Sequence, residues 1–150
     1  MTYFFDSSAL IKLYHPERGS QRVEVLFGEP SRRIIISRLT GVEFHSALAL
    51  KVRTGHLDTA GAAALRLRFL DHVTSGAIAV LAINESHYVS AEILIVRHGE
   101  RKSLRSLDAL QLAVLLEAQA RLGLDAFVVA DAVLAEIAGV QGVMVINPER

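Results

Sequence analysis

The sequence contains no cysteine, only three prolines and no surplus of either charge. Without cysteine, the chain has no disulfides, no thiolate metal ligands and no cysteine nucleophile. This absence fits a reducing cytoplasm, which is the location we expect. The 16 basic and 16 acidic side chains cancel. Net charge therefore neither favours nor excludes a nucleic-acid partner, and such a partner would need a local basic patch.

Long hydrophobic runs are also missing. The longest uninterrupted one, Ala77 to Ile83, is far shorter than the roughly 18 residues that a membrane span needs. The N-terminus has no basic segment, and its apolar stretch is interrupted by Asp6 and Lys12. We therefore expect no targeting signal and no membrane partner.

The length and composition predict one domain over residues 1–150. The chain has 150 residues, of which 51% are hydrophobic, enough to bury a sizeable core. No low-complexity tract or linker divides it. The apolar-rich composition is typical of parallel strands that are buried on both faces.

Short apolar segments alternate with amphipathic helical segments along the chain. The predicted strands cover residues 2–6, 34–36, 77–82, 126–130 and 143–146. The first predicted helix follows Ser7 or Ser8 as its cap and ends at Pro16; the others cover residues 17–28, 41–54 (with Ser37 and Thr40 as cap candidates), 58–74, 85–98, 106–121 (capped by Ser106) and 131–138. No tight hairpin turn joins two strands. The pattern therefore predicts an α/β fold with a mostly parallel sheet and helices on both faces.

Four acidic residues fall at predicted strand-to-helix junctions. Asp6 and Asp131 end apolar strands, whereas Glu43 and Asp108 each open an amphipathic helix. In a parallel sheet these junctions line one rim, where ligands bind. Carboxylates grouped at one rim repel each other, and bound Mg²⁺ or Mn²⁺ relieves the repulsion. The arrangement favours metal-dependent phosphoryl-transfer chemistry.

Each acid also has a structural explanation. A carboxylate in the first helical turn caps backbone N–H groups and interacts favourably with the helix dipole. For any one of the four, capping and metal binding stay equally open, but the set as a whole favours metal. We interpret the nearby His45 as a partly exposed helix residue rather than a metal ligand.

Four motifs that occur in order carry a resemblance to PIN-domain ribonucleases, above all to the VapC toxins of bacterial type II toxin–antitoxin pairs. They are Phe5-Asp6-Ser7-Ser8-Ala9-Leu10-Ile11-Lys12-Leu13-Tyr14, then Ser37 and Leu39 leading into Glu43, then Leu107-Asp108-Ala109-Leu110-Gln111-Leu112-Ala113, and Phe127-Val128-Val129-Ala130-Asp131 with Leu134, followed by Asn147-Pro148. The resemblance covers nearly the whole chain.

This resemblance implies a PIN-like three-layer fold and an Mg²⁺- or Mn²⁺-dependent endoribonuclease that leaves 5′-phosphate and 3′-hydroxyl ends. It implies that Asp6, Glu43, Asp108 and Asp131 form the catalytic metal site. It also implies a homodimer, and a VapB-like antitoxin whose C-terminal segment enters the acidic groove.

The chain departs from the family pattern around the fourth acid. Many relatives have Thr or Ser two residues before it and a basic residue just after it, where this chain has Val129 and Ala132. A site of three carboxylates, without Asp131, stays open as an alternative.

A basic stretch precedes Asp108 and is a candidate RNA contact. Within residues 97–105 it holds Arg97, Arg101, Lys102 and Arg105 against one Glu. Basic side chains beside a metal site can hold RNA phosphates. Arg38, which precedes Glu43, is a further candidate, together with the Arg32-Arg33 pair. The alternative for the stretch is a solvated connection between two helices.

The sequence leaves three functions open. The first is a metal-dependent endoribonuclease that acts as a toxin. The second is a catalytically weak or silent PIN-like module that binds RNA or protein and uses its acids as caps. The third, another metal phosphohydrolase, is disfavoured because Asp6 is followed by Ser7-Ser8 rather than by a second acid two positions later.

Overall fold

The computed structural model describes all 150 residues as five strands and seven α-helices. The strands are β1 (Thr2–Phe5), β2 (Arg33–Ser37), β3 (Ile78–Leu81), β4 (Ala126–Val128) and β5 (Val145–Ile146). The helices are α1 (Ser7–Leu10), which continues into a 3-10 turn (Ile11–Leu13), α2 (Ser20–Gly28), α3 (Arg38–Arg53), α4 (Thr59–Thr74), α5 (Glu85–His98), α6 (Ser106–Leu122) and α7 (Ala132–Val140). Each predicted strand and helix is present. No helix has both the length and the apolar character needed to span a bilayer.

The strands form one sheet in the order β3-β2-β1-β4-β5, and every pairing is parallel. The prediction of a parallel sheet is confirmed, without any antiparallel exception. In the register, Phe4 lies between Ile35 of β2 and Phe127 of β4. The first strand of the chain is thus the centre of the sheet, and its C-terminal end lies between those of β2 and β4.

Side chains alternate between the two faces of the sheet, as strand geometry requires. Phe4, Ile35 and Phe127 pack into a core that includes residues of α5, α6 and α7. Phe5 and Ile36 pack into a second core, with residues of α1, α2, α3 and α4. The sheet therefore lies between two helical layers, which confirms the predicted three-layer fold.

Two predicted helix starts are wrong in position. Helix α3 begins at Arg38 rather than at residue 41, because Ser37 is its N-cap and accepts a hydrogen bond from the backbone N–H of Thr40. Ser37 is therefore confirmed as the cap, and Thr40 is not one. Helix α2 begins at Ser20 rather than at residue 17, since its N-cap, Gly19, has a φ of 89° that is left-handed and non-helical.

Two predicted caps are also wrong. Helix α1 is capped by Asp6, whose side chain accepts a hydrogen bond from the backbone N–H of Ser8, rather than by Ser7 or Ser8 themselves. Helix α6 has Arg105 at its N-cap position, and Ser106 is its first helical residue. In both cases the local pattern predicted the helix correctly and misplaced its start by one residue or two.

Candidate active site

The structure places the four predicted acids at the end of the sheet where β1, β2 and β4 finish. Asp6 directly follows β1, and Asp131 follows the last residue of β4 after two intervening residues. Glu43 and Asp108 are carried by α3, which follows β2, and by α6. Asp6 is buried, and the other three side chains are half-buried.

The sequence pattern predicts that Glu43 opens its helix, and this prediction is wrong. Because α3 starts at Arg38, Glu43 lies in the second turn of the helix. The helix dipole acts mainly within the first turn, and the N-cap position belongs to Ser37. Capping therefore does not explain an acid at this position.

Asp6 is held by three hydrogen bonds. Its Oδ2 atom accepts from the backbone N–H of Ser8 at 3.0 Å and from the Ser8 hydroxyl at 2.5 Å. Its Oδ1 atom accepts from Nε2 of Gln111 at 3.2 Å. Burial raises the pKa of Asp6, and the hydrogen bonds oppose that effect because they stabilise the carboxylate. The network thus fixes the orientation of a carboxylate that burial alone would disfavour.

Gln111 is a residue of the candidate site that the sequence pattern did not single out. Its side chain is buried at 1% exposure. Besides Asp6, its Nε2 atom donates to Oγ1 of Thr40 at 2.8 Å, and its Oε1 atom accepts from the Ser37 hydroxyl at 2.5 Å. One amide thereby connects the end of β1 with the start of α3. The available signal was a polar residue between two leucines, three positions after Asp108 and so on the same helix face.

The Ser8 hydroxyl connects Asp6 to the chain that leads to Asp131. It donates to Asp6 and accepts from the backbone N–H of Ala130 at 3.0 Å. This chain has valine at position 129, where the family pattern described above has a hydroxyl. Ser8 brings a hydroxyl to the neighbouring backbone from another element.

Two of the acids act electrostatically on a third, Glu43. Burial raises the pKa of Glu43, and the negative charges of Asp6 and Asp108 raise it further. The Ser7 side chain and the charge of Arg105 act in the opposite direction, since both stabilise the anion. The tertiary structure therefore brings three of the four predicted acids within electrostatic reach of each other.

Asp108 and Asp131 also make local contacts. Oδ2 of Asp108 accepts hydrogen bonds from Nε of Arg105 at 3.2 Å and from the backbone N–H of Arg105 at 3.4 Å. Oδ1 of Asp131 accepts from the backbone N–H of Leu134 at 2.8 Å, which makes Asp131 the N-cap of α7. A capping contact is thus present for Asp6, Asp108 and Asp131, though not for Glu43.

The donor chemistry of the four acids fits a hard divalent cation, which prefers oxygen ligands. As the side chains stand, no group of three or more His, Asp or Glu is spaced to enclose a metal ion. Oδ1 of Asp108 and Oδ2 of Asp131 accept no hydrogen bond from the protein. Binding of a cation beside the fixed Asp6 therefore requires the three half-buried carboxylates to turn towards it, and a cation that takes Oδ2 of Asp108 displaces Arg105.

Two residues of the predicted basic stretch form ion pairs. Arg105 pairs with Asp108 and so lies beside the acids. Lys102 pairs with Glu136 of α7 instead. Arg105 is thus the basic residue that the structure brings into the acidic site.

The other predicted RNA contacts are exposed. Arg97 is in the last turn of α5, Arg101 follows that helix, and Arg38 is the first residue of α3. No ion pair holds them, so their charges are available to a ligand. Arg33 opens β2, at the opposite end of that parallel strand from the acidic rim, and the preceding Arg32 stacks over Phe27. The structure therefore separates the Arg32-Arg33 pair from the four acids.

A cavity of about 590 Å³ lies between α3, α4 and the sheet and contains none of the four acids. Its walls are mainly apolar, with Arg38 and His45 among its lining residues. His45 is exposed and packs edge-on against the rings of Phe44 and Phe69. These contacts agree with the prediction of a helix-surface histidine.

Comparisons with known proteins agree with this architecture. The PIN domain family model matches residues 3–140. Similar solved structures include VapC20 of Mycobacterium tuberculosis, described as a sarcin-ricin loop cleaving toxin (19% identity, TM-score 0.67, covering 90% of this chain and 94% of that one). They also include FitAcB of Neisseria gonorrhoeae (18%, 0.66, 97% of both chains) and VapBC2 of Rickettsia felis bound to a DNA fragment from its promoter (13%, 0.64, 98% of both chains). A search of curated proteins found no match.

Proposed function

The chain belongs to the PIN domain family, and we propose that it is an Mg²⁺- or Mn²⁺-dependent endoribonuclease that acts as the toxin of a toxin–antitoxin pair. The observation that carries the proposal is the convergence of acids at the rim of a parallel sheet, where the charges of Asp6 and Asp108 both reach Glu43 and add to the effect of its burial in raising its pKa. Rims of this kind are where α/β folds bind ligands. Structural neighbours described as toxins and toxin–antitoxin complexes support the biological role.

The residues of the chain have separable roles in this proposal. A divalent cation held by Asp6, Glu43, Asp108 and Asp131 would supply an activated water and neutralise charge that develops on the phosphodiester. Asp6 is oriented in advance by Ser8 and Gln111. Such a fixed carboxylate contributes more than a mobile one, because it does not need to be reorganised during the reaction.

The basic side chains would bind the RNA backbone. Arg38, Arg97 and Arg101 are exposed, and each can neutralise a phosphate without reading a base. Lys102 must first leave Glu136, so we expect a smaller contribution from it. An RNA substrate agrees with a cytoplasmic location.

We further propose a homodimer that a VapB-like antitoxin inhibits. Helix α5 exposes Tyr88, Val89, Ile93 and Val96 to at least half of their full extent, which leaves an apolar face for association between copies. Several structural neighbours are complexes of a toxin with an antitoxin.

A second candidate is a catalytically silent module that binds RNA or protein. Two observations favour it: three of the four acids make helix-capping contacts, and no three of the acids are spaced to enclose a metal ion. In this alternative the acids stabilise α1, α6 and α7, and the basic side chains alone bind a partner.

Cleavage of total bacterial RNA by the purified chain, freed of any bound partner, separates the two candidates. The reaction is run with Mg²⁺, with Mn²⁺ and with EDTA, for the wild type and for Asp108→Asn, and the new RNA ends are mapped. Glu117→Gln is the matched control, because Glu117 lies on the same helix as Asp108 and pairs with His87 and Arg121 instead.

Metal-dependent cuts with 5′-phosphate ends, reduced on the order of 100-fold or more in Asp108→Asn and unchanged in Glu117→Gln, support the nuclease. RNA binding without cuts favours the silent module. Cuts that persist in EDTA contradict the metal-dependent mechanism.

A further inference from the structure

Arg105 holds one oxygen of the Asp108 carboxylate with two of its N–H groups. Its backbone N–H and its side-chain Nε–H both donate to Oδ2, over 3.4 Å and 3.2 Å. The Arg105 side chain is nevertheless 78% exposed, against 18% for Asp108. A largely solvent-exposed cation is therefore bound directly to an acid of the proposed metal site.

The surrounding acids also act on this guanidinium. The hydrogen bond and the charge of Asp108 raise the pKa of Arg105, and the charges of Asp131 and Glu43 add to the effect. Arg105 also offsets the repulsion that Glu43 experiences from Asp6 and Asp108. In the absence of a metal ion, the arginine is thus the cation that the acids share.

A divalent cation and the guanidinium compete for the same carboxylate. Exposed ion pairs are weak because solvent screens them and because the side chain loses entropy on pairing. A small divalent ion, with twice the charge and a need for oxygen ligands, can displace such a partner. The displaced guanidinium stays tethered at the site through the backbone of Arg105.

We propose that Arg105 has two alternating roles: it holds Asp108 in the metal-free protein, and it binds a phosphate group of the RNA once a divalent cation has displaced it. This inference rests on the proposed nuclease function. A guanidinium suits the second role because its planar N–H groups bind two phosphate oxygens at once. A simple surface ion pair, by contrast, would only support the first turn of α6.

The two roles predict opposite effects of one substitution. Arg105→Gln removes the competitor, so Mn²⁺ should bind roughly two- to five-fold more tightly, as expected from the modest strength of an exposed pair. At saturating Mn²⁺ the same variant should cleave RNA on the order of ten-fold more slowly, since it lacks the phosphate contact. A merely structural role would not improve metal binding while it impairs cleavage.

Two further variants complete the test. Arg105→Lys keeps the charge without the planar fork, so we expect near-normal Mn²⁺ affinity and intermediate cleavage. Arg121→Gln is the matched control: Arg121 is 73% exposed and pairs with Glu117 at the other end of the same helix. It should change neither Mn²⁺ affinity nor cleavage.

Mn²⁺ affinity is measured by titration calorimetry on the full chain without RNA, and cleavage is measured separately with kcat and KM resolved. Unchanged or weaker Mn²⁺ binding by Arg105→Gln overturns the competition, and unchanged cleavage at saturating Mn²⁺ overturns the phosphate contact. In both cases a wild type that binds Mn²⁺ and cuts RNA leaves the proposed function intact. A wild type that does neither overturns the function, and the inference with it.

Discussion

Nε2 of Gln111 donates a hydrogen bond to Oδ1 of Asp6 across 3.2 Å, although the two residues are 105 positions apart in the chain. Both side chains are at most 5% exposed. A buried carboxylate without a donor is costly, because water cannot replace the missing hydrogen bond. This contact therefore couples the packing of α6 to the position of the acid that follows β1.

The change Gln111→Leu should lower the free energy of unfolding by about 2–4 kcal/mol. Leucine keeps most of the volume, but it leaves Asp6 without its Oδ1 donor and the Ser37 hydroxyl without its acceptor. The measurement is urea-induced unfolding of the metal-free protein.

Gln119→Leu is the matched control, because Gln119 lies on the same helix and its buried Oε1 atom has no hydrogen-bond partner. Removing an unsatisfied buried oxygen should be neutral or stabilising. Equal destabilisation by both changes would show that the polar network around Gln111 adds nothing beyond side-chain packing.

Asp6→Asn should change how stability depends on pH. Folding raises the pKa of Asp6 through burial. The native state therefore favours the protonated acid, whose contribution to stability is complete below the unfolded-state pKa of about 3.9 and is lost as pH rises through the folded-state pKa. Asparagine does not ionise, so the variant does not lose stability through this residue as pH rises. Its unfolding free energy, minus that of the wild type, should therefore increase as pH rises from about 4.

Urea unfolding in EDTA across that pH range checks the prediction. Glu17→Gln is a control of opposite sign: the pKa of Glu17 is lowered, because the effects of Lys12 and Lys51 outweigh that of its burial. The contribution of Glu17 to the free energy of unfolding is present above its unfolded-state pKa and is lost as pH falls through its folded-state pKa. A difference for Asp6→Asn that is flat, or that falls with rising pH, would contradict the stated effect of burial.

Lys12→Met should destabilise the protein by about 1–3 kcal/mol, less than for a fully buried pair because the acidic partners are partly solvated. Lys12 is 4% exposed, and its Nζ atom lies 2.8 Å from Glu17 and 2.6 Å from Glu149. Without it, Glu149 loses its ion-pair partner and Glu17 keeps only Lys51, so two carboxylates from distant parts of the chain lie close together with one cation fewer.

Lys51→Met provides the comparison, since Lys51 contacts only Glu17 and is 21% exposed. It should cost no more than about 1 kcal/mol. Both values come from urea unfolding at neutral pH. Similar decreases in the free energy of unfolding for the two variants would mean that the burial of Lys12 does not set the strength of its ion pairs.

The fold was largely predictable from local patterns. Segments such as Ile34-Ile35-Ile36 have the β-branched composition of buried strands, and the absence of tight hairpins implied parallel connections. Helix starts were less predictable: several residues near Asp6 and Ser37 are chemically able to cap, and only the backbone conformation decides which one does.

The position of Asp6 and Asp131 at one rim followed from local sequence patterns, because the C-terminal ends of parallel strands share an edge. Three features of the site became visible in the folded chain alone: Gln111 orients Asp6, Glu43 lies beyond the first turn of its helix, and Arg105 rather than Lys102 pairs with an acid of the site. The difference comes from the distance along the chain over which each kind of interaction acts. Periodicity reflects neighbours along the chain, whereas the partner of a polar side chain depends on how distant elements pack against each other.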